Sequence, residues 1–205
     1  TNPGQRMLRN IGSVFGLSEG DQLSEAVTLV IDNCPALQEE SAGVFGAMRF
    51  EEKMLEDMKF PKDYFSAAGL WGVLEHVLHP DRVLKDLYKV LKPGGVVVIS
   101  IPNAGSLAAR ILQERTSCFD GIVHLWFYTQ KTLTELLEKN GYKILNISSE
   151  QPEFDTVWNY INYKDPYNET AEFTYGDKTK ELIEDFILKS NLGYKLIVLA
   201  QKPKK

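Results

Sequence analysis

The chain has 205 residues, 43% hydrophobic and 25% charged, and its 23 Lys and Arg against 28 Asp and Glu give a formal charge of -5. That length predicts one domain over residues 1–205 with a core large enough to fold without metals or disulfides. The composition excludes collagen, coiled coil and disordered tail, the acidic balance argues against nucleic acid as a partner, and no apolar run is long enough to span a bilayer.

Phe65 to Trp71 (FSAAGLW) reads as a buried strand, interrupted by Gly69. His79-Pro80-Asp81 opens a helix, with Pro in the first turn and an acid beside the positive helix end. Val83, Leu84, Leu87, Val90 and Leu91 give it one apolar stripe, and Lys92-Pro93-Gly94-Gly95 stops it. Val96 to Ile101 is β-branched at every position except Ser100, and a strand apolar on both faces belongs inside a parallel sheet. A short helix is expected near Ser106 to Gln113. A second is capped by Thr129, carries Leu133, Leu136 and Leu137 on one face, and ends at Asn140-Gly141. Tyr142 to Ser148 and Tyr194 to Gln201 read as strands forming an antiparallel edge. Between them lies a polar, aromatic insertion near 151–190, with a helix near Lys178 to Lys189. Its string Trp158, Tyr160, Tyr163, Tyr167 suggests a flap, a partner surface or a satellite core. Lys202, Lys204 and Lys205 read as a solvated basic tail. The alternation of strands and helices predicts an α/β sheet covered by helices.

Phe65, Leu74-Glu75-His76-Val77, His79-Pro80, Leu91 to Gly95 and Pro102-Asn103 follow one another in an order and spacing that resemble the second half of class I S-adenosylmethionine-dependent methyltransferases. The resemblance is to the small-molecule branch that includes ubiquinone-biosynthesis O-methyltransferases. The later stretch from His124 to Ile144 (HLWFYTQKTLTELLEKNGYKI) resembles the segment leading into that family's sixth strand. The resemblance implies a Rossmann-like three-layer sandwich, mostly parallel with an antiparallel last strand. It also implies S-adenosylmethionine as cofactor, S-adenosylhomocysteine as its product, and a small-molecule acceptor.

On the same resemblance, the family's glycine-rich loop falls on Arg6 to Gly16 (RMLRNIGSVFG), with Gly12 beside the cofactor and Arg9 or Asn10 near the usual acid. Val14 to Glu19 already resembles the second strand, so either the first β–α unit is abbreviated or residues are missing from the string. Glu19 stands where relatives place a carboxylate for the ribose hydroxyls, with Asp21 as the second candidate. Ser24 to Val27 resembles the helix that follows.

Ligands of open α/β sheets sit beyond the carboxyl ends of the strands. Leu70, Trp71 and Gly72 fall at such an end and are expected to flank the cofactor, Trp71 through its ring and Gly72 through close backbone approach. The alternative is a Trp that merely closes the core. His124 and His76 are the catalytic candidates; a neutral His124 would remove an acceptor proton, with Trp126, Phe127 and Tyr128 as apolar walls. Catechol-methylating relatives hold a cation with E-x-x-E-H, but Gly72-Val73-Leu74-Glu75-His76 lacks the first carboxylate. No metal is therefore expected, and Glu75 and His76 are read as packing the helix start; His76 and His79, three apart, are a weaker soft-metal pair. Cys34 and Cys118, far apart and without CxxC spacing, read as reduced thiols of a cytoplasmic protein. A second reading is a methyltransferase-like scaffold without cofactor, forming a homodimer or complex through residues 151–168.

Overall fold

The computed structural model describes residues 59–119 and 122–204, together with the backbone of 28–32. In chain order the elements are β1 (Thr28–Asp32), β2 (Phe65–Trp71), α1 (Pro80–Val90), β3 (Leu91–Pro102), α2 (Leu107–Leu112), α3 (Gln130–Lys139), β4 (Lys143–Glu150), α4 (Phe154–Ile161), α5 (Asp177–Lys189) and β5 (Lys195–Gln201). Among the described residues the sheet has five strands in the order β1-β2-β3-β5-β4. β1, β2 and β3 are mutually parallel, and β5 is antiparallel to both of its neighbours. This is the mixed Rossmann-like α/β fold that the motifs imply. The last two strands form the antiparallel edge as expected, with β5 between β3 and β4 and β4 outermost. The mostly exposed or half-buried side chains of β4 suit that place.

The Val96–Ile101 run lies mid-sheet as its two-sided apolar pattern requires, with Val97, Val98, Ile99 and Ile101 all buried. Its strand begins earlier than expected. Leu91 pairs with Phe65, and a register shift between Phe65 and Ala67 absorbs the following residues before Val96 pairs with Ala67. Gly95 permits that bulge, since a Cβ there would stand 2.8 Å from the Lys92 carbonyl oxygen and 3.2 Å from that of Ser66. β1 and α4 are elements for which the sequence carried no expectation.

Residues alternate across a strand. Ala68, Leu70, Val97, Ile99 and Ile101 share one core with Leu84 and Leu87 of α1 and Leu133 and Leu137 of α3. Thr129 caps α3 as predicted, in a reciprocal capping box with Thr132. Asn140 ends α3 and donates to Asp81 Oδ1 at 3.0 Å, which ties the two helices together. Among the described residues no helix is long and apolar enough to cross a membrane.

The end of α1 overturns one expectation. Lys202 is not part of a solvated tail: it is buried, and its Nζ donates to Asp63 Oδ1 at 2.7 Å, to Tyr88 O at 2.8 Å and to Leu91 O at 2.7 Å. The last carbonyls of α1 are thereby all satisfied. Leu87 accepts from the Leu91 N–H, Tyr88 from Lys202, Lys89 from Asp63 N–H and Val90 from Tyr64 N–H.

Asn103 explains why the Pro-Asn pair closes β3. It is 1% exposed; Nδ2 donates to Asn191 O at 3.1 Å and Gly193 O at 2.9 Å, and Oδ1 accepts from Gly105 N–H. It pins the exit of β3 to the entrance of β5. Asn103→Ala is expected to lower the unfolding free energy in chemical denaturation by about 2–3 kcal/mol, because buried groups lose their partners. A loss below about 0.5 kcal/mol, the scale of an ordinary surface change, would contradict this role.

Candidate functional site

The three parallel strands end together. Asp32 pairs with Trp71, and Trp71 with Ser100, so their carboxyl ends form one rim. The chain leaves β2 through Gly72 at φ +59, whose N–H donates to Ser100 O at 3.0 Å. A Cβ there would lie 3.6 Å from Glu75 Oε1, so backbone conformation, not crowding, selects glycine. Of the rim candidates, Leu70 is completely buried in the core, while Trp71 is half-buried. The Trp71 ring folds back over Gly69, where an added Cβ would collide with it. Gly12 and Glu19 lie outside the described residues, as do Arg9, Asn10 and Asp21. Sequence reading missed Asp32; its signal was an apolar, partly β-branched run (TLVI) ending in an acid.

The segment 122–128 crosses the turn after Gly72 and is sewn to it. Leu125 and Trp126 N–H both donate to Glu75 O, at 2.7 and 3.2 Å. Trp126 Nε1 donates to Val77 O at 2.8 Å, and the buried Tyr128 hydroxyl reaches Leu74 O at 3.5 Å. Burial, with Glu75 nearby, holds the Tyr128 phenol well above its usual range. His76 Nδ1 meets Val123 O at 2.9 Å, and His124 Nδ1 meets Cys118 O at 3.1 Å. A carbonyl oxygen only accepts, so each Nδ1 carries a hydrogen and each neutral ring has its lone pair on Nε2. The rings lie 4.9 Å apart between centroids. Glu75, 2% exposed, completes the group: one ligand-type atom from each of Glu75, His76 and His124 falls within 4.8 Å of the others, and His79 is not among them. Burial raises the Glu75 carboxyl above its ordinary value, against the opposing pull of its own backbone N–H and of both histidines.

The expected aromatic walls share one groove of about 1190 Å³ beside α1 and α3, which Trp126 and Phe127 line from exposed positions and the buried Tyr128 from the core, with Phe60, Leu78 and Leu136. In the insertion, Trp158 packs against Phe154, Phe173 and Tyr175 as a satellite cluster, and only further on is Tyr163 fully exposed.

Glu153 enters α4 at φ +49 with Oε2 buried and without a hydrogen-bond partner among the described residues. Burial pushes its carboxyl up to about 7. The folded state therefore holds this proton more tightly than the unfolded chain. That contribution is fully present below the ordinary glutamate value and is lost as pH rises through about 7. Glu153→Gln is expected to flatten the decline and to stabilise the protein at pH 8 by about 1–2 kcal/mol, after discounting for residual solvent. Melting of both proteins across pH 5 to pH 8 checks it; parallel curves would refute it.

The family model for a methyltransferase domain matches residues 20–147, a span running from before β1 through the rim and the histidine segment into β4. The ubiquinone/menaquinone biosynthesis C-methyltransferase UbiE of Vibrio campbellii is 32% identical over 57 residues, which are 28% of this chain and 22% of that relative's length. Among solved structures, an S-adenosylmethionine-dependent methyltransferase from Archaeoglobus fulgidus superposes with a TM-score of 0.55 at 17% identity, covering 97% of this chain and 92% of that one. The [4+2]-cyclase SpnF gives 0.53 at 16% identity, covering 88% and 67%. At such identities structural likeness speaks for the fold, not the reaction. The matched family model spans more than half of the residues, and the chain belongs to the methyltransferase domain family.

Proposed function

We propose that this protein transfers a methyl group from S-adenosylmethionine to a small-molecule acceptor in the cytoplasm. The observation that carries the reading is the shared rim of β1, β2 and β3, with Asp32, Trp71 and the left-handed Gly72 at its carboxyl ends. Asp32 is a further acidic residue on that rim, at the end of the strand beside β2. In this reading Trp71 packs on the cofactor, Gly72 lets it approach the backbone, and Leu70 acts only through its main chain. Gly12 and Glu19 serve the methionine and ribose parts. His124 and His76 bound the acceptor side, where Nε2 of His124 accepts the acceptor's proton. The sulfonium loses its charge as the methyl moves, so alignment in a weakly solvated crevice does most of the work.

The full chain is expected to melt about 5–10 °C higher with S-adenosylmethionine or S-adenosylhomocysteine near a hundredfold over its dissociation constant. Trp71→Ala should abolish most of that shift. No shift at millimolar ligand on folded protein would refute the reading. The low glycine density of Arg6 to Gly16 favours a second reading, a cofactor-free scaffold, which predicts that null result.

A further inference from the structure

We infer that α5 of one copy of this chain docks into the groove beside α1 and α3 of a second copy. Each of the two surfaces is apolar and open to solvent in the single chain. Leu78, which lines the groove, is 72% exposed beside the exposed Trp126 and Phe127. Those two rings are held in place: Trp126 Nε1 donates to Val77 O at 2.8 Å, and Phe127 meets Phe119 edge-on with centroids 5.1 Å apart. On α5, Leu182 is 64% and Phe186 66% exposed, and a spacing of four residues puts them on one face as a ridge. Exposed apolar patches of this kind mark contact surfaces.

Shape and charge favour this pairing. Pro80 and Val90, at the two ends of α1, both line the groove, so it runs the length of that helix, about 16 Å at 1.5 Å per residue. α5 has 13 residues and is about 20 Å long, so roughly three of its turns find a bed there. An amphipathic helix laid in a groove is anchored by apolar residues spaced as Leu182 and Phe186 are. Among the described residues lining the groove, Lys62, Arg82, Lys85 and Lys89 stand against two acids, Asp81 and Asp86, in a chain whose overall charge is -5. The rest of the chain is therefore net acidic. α5 itself carries four acids against three lysines, and Lys180 is drawn away by Asp155 at 2.6 Å. The exposed Glu181 and Asp185 adjoin Leu182 and Phe186 in sequence. Opposite signs on ridge and groove steer the approach and fix the register. Reciprocal filling of both grooves around a two-fold axis closes a dimer. Trp71, His76 and His124 lie outside the groove lining, so the association is independent of methyl transfer.

Sedimentation of the untagged full chain over a range of concentrations is the test, and mixed variants are its core. The unmodified chain should associate reversibly to a dimer. Leu78→Glu in the groove and Phe186→Glu on the ridge each place an acid in an apolar contact, and each should weaken association at least about tenfold, on the scale of a residue that matters to an interface. Both positions are exposed, so each variant should melt close to the unmodified chain. An equal mixture of the two variants contains one intact ridge and one intact groove, and should dimerise more tightly than either variant alone. Carbodiimide coupling of isotopically light and heavy unmodified chains needs no variant, and should join Lys62, Lys85 or Lys89 of one copy to an acid of α5 in the other. The inference is overturned if the unmodified chain stays monomeric at about 1 mM, if the mixture associates no better than its components, or if the links between copies avoid α5 or run only from α5 to α5. A monomer that binds anionic vesicles and is released from them by Leu78→Glu would give the groove to a membrane, and overturns it too. These measurements are made without cofactor, so their failure leaves the S-adenosylmethionine melting shift intact, and the reverse also holds.

Discussion

Lys202→Met is expected to lower the unfolding free energy by about 3 kcal/mol, near the lower end of the range for breaking a buried charge pair. Methionine keeps the apolar stem but removes three donated hydrogen bonds at once. The Tyr88 and Leu91 carbonyls at the negative end of α1 would lose a donor, the partly exposed Asp63 carboxylate would lose this ion pair, and the contact with the Tyr88 ring, where Nζ lies 4.7 Å from the centroid, would go. The exposure of Asp63 is what keeps the figure from rising further, because water can re-solvate it. For a chain of this length the loss corresponds to a melting decrease of about 6–12 °C. Lys204→Met, at an exposed position, is the control and should stay within about 0.5 kcal/mol. Equal effects from the two substitutions would show that the buried contacts of Lys202 do not hold α1 to the sheet.

Gly69→Ala should strike the site as well as the fold. The added methyl occupies the place of the Trp71 ring, which has to rotate off the strand. The expected cost is about 1–3 kcal/mol of stability, the range for overpacking a tight contact. A larger consequence is expected for the ligand: at least a tenfold loss of S-adenosylmethionine affinity, since the ring would no longer border the rim beside Gly72. A double-mutant cycle isolates the cause. In a Trp71→Ala background the methyl has nothing to displace, so the stability cost of Gly69→Ala should fall by about 1 kcal/mol or more. Strictly additive costs would show that Trp71 does not lie over Gly69. The Glu153 and Asn103 substitutions probe other places, the first through pH and the second through the junction of β3 with β5.

Local patterns announced much of this architecture. The Val96–Ile101 run, the His79-Pro80 helix start, the Thr129 cap and the Asn140-Gly141 stop each carry their own physics within a few residues, and the structure places them as expected. α4 was illegible because Phe154 to Ile161 sits among polar and aromatic residues without a long period, and its helix is held by packing of Val157 and Tyr160 against α2. β1 was passed over because five residues give too little pattern to separate a strand from its neighbours. Lys202 shows the reverse error: a lysine near the end of the chain follows the rule for solvated tails until an acid and the carbonyls of Tyr88 and Leu91 converge on it.

What the sequence determined by itself was therefore the family, the parallel core and the rim turn at Trp71-Gly72, since these depend on residue type and short spacing. Only the tertiary structure decided that β5 enters between β3 and β4, that Asp32 stands beside Trp71, and that His124 joins Glu75 and His76. Those are meetings of residues far apart in the chain. They depend on the pairing of β-strands and on carbonyl partners that no local window contains.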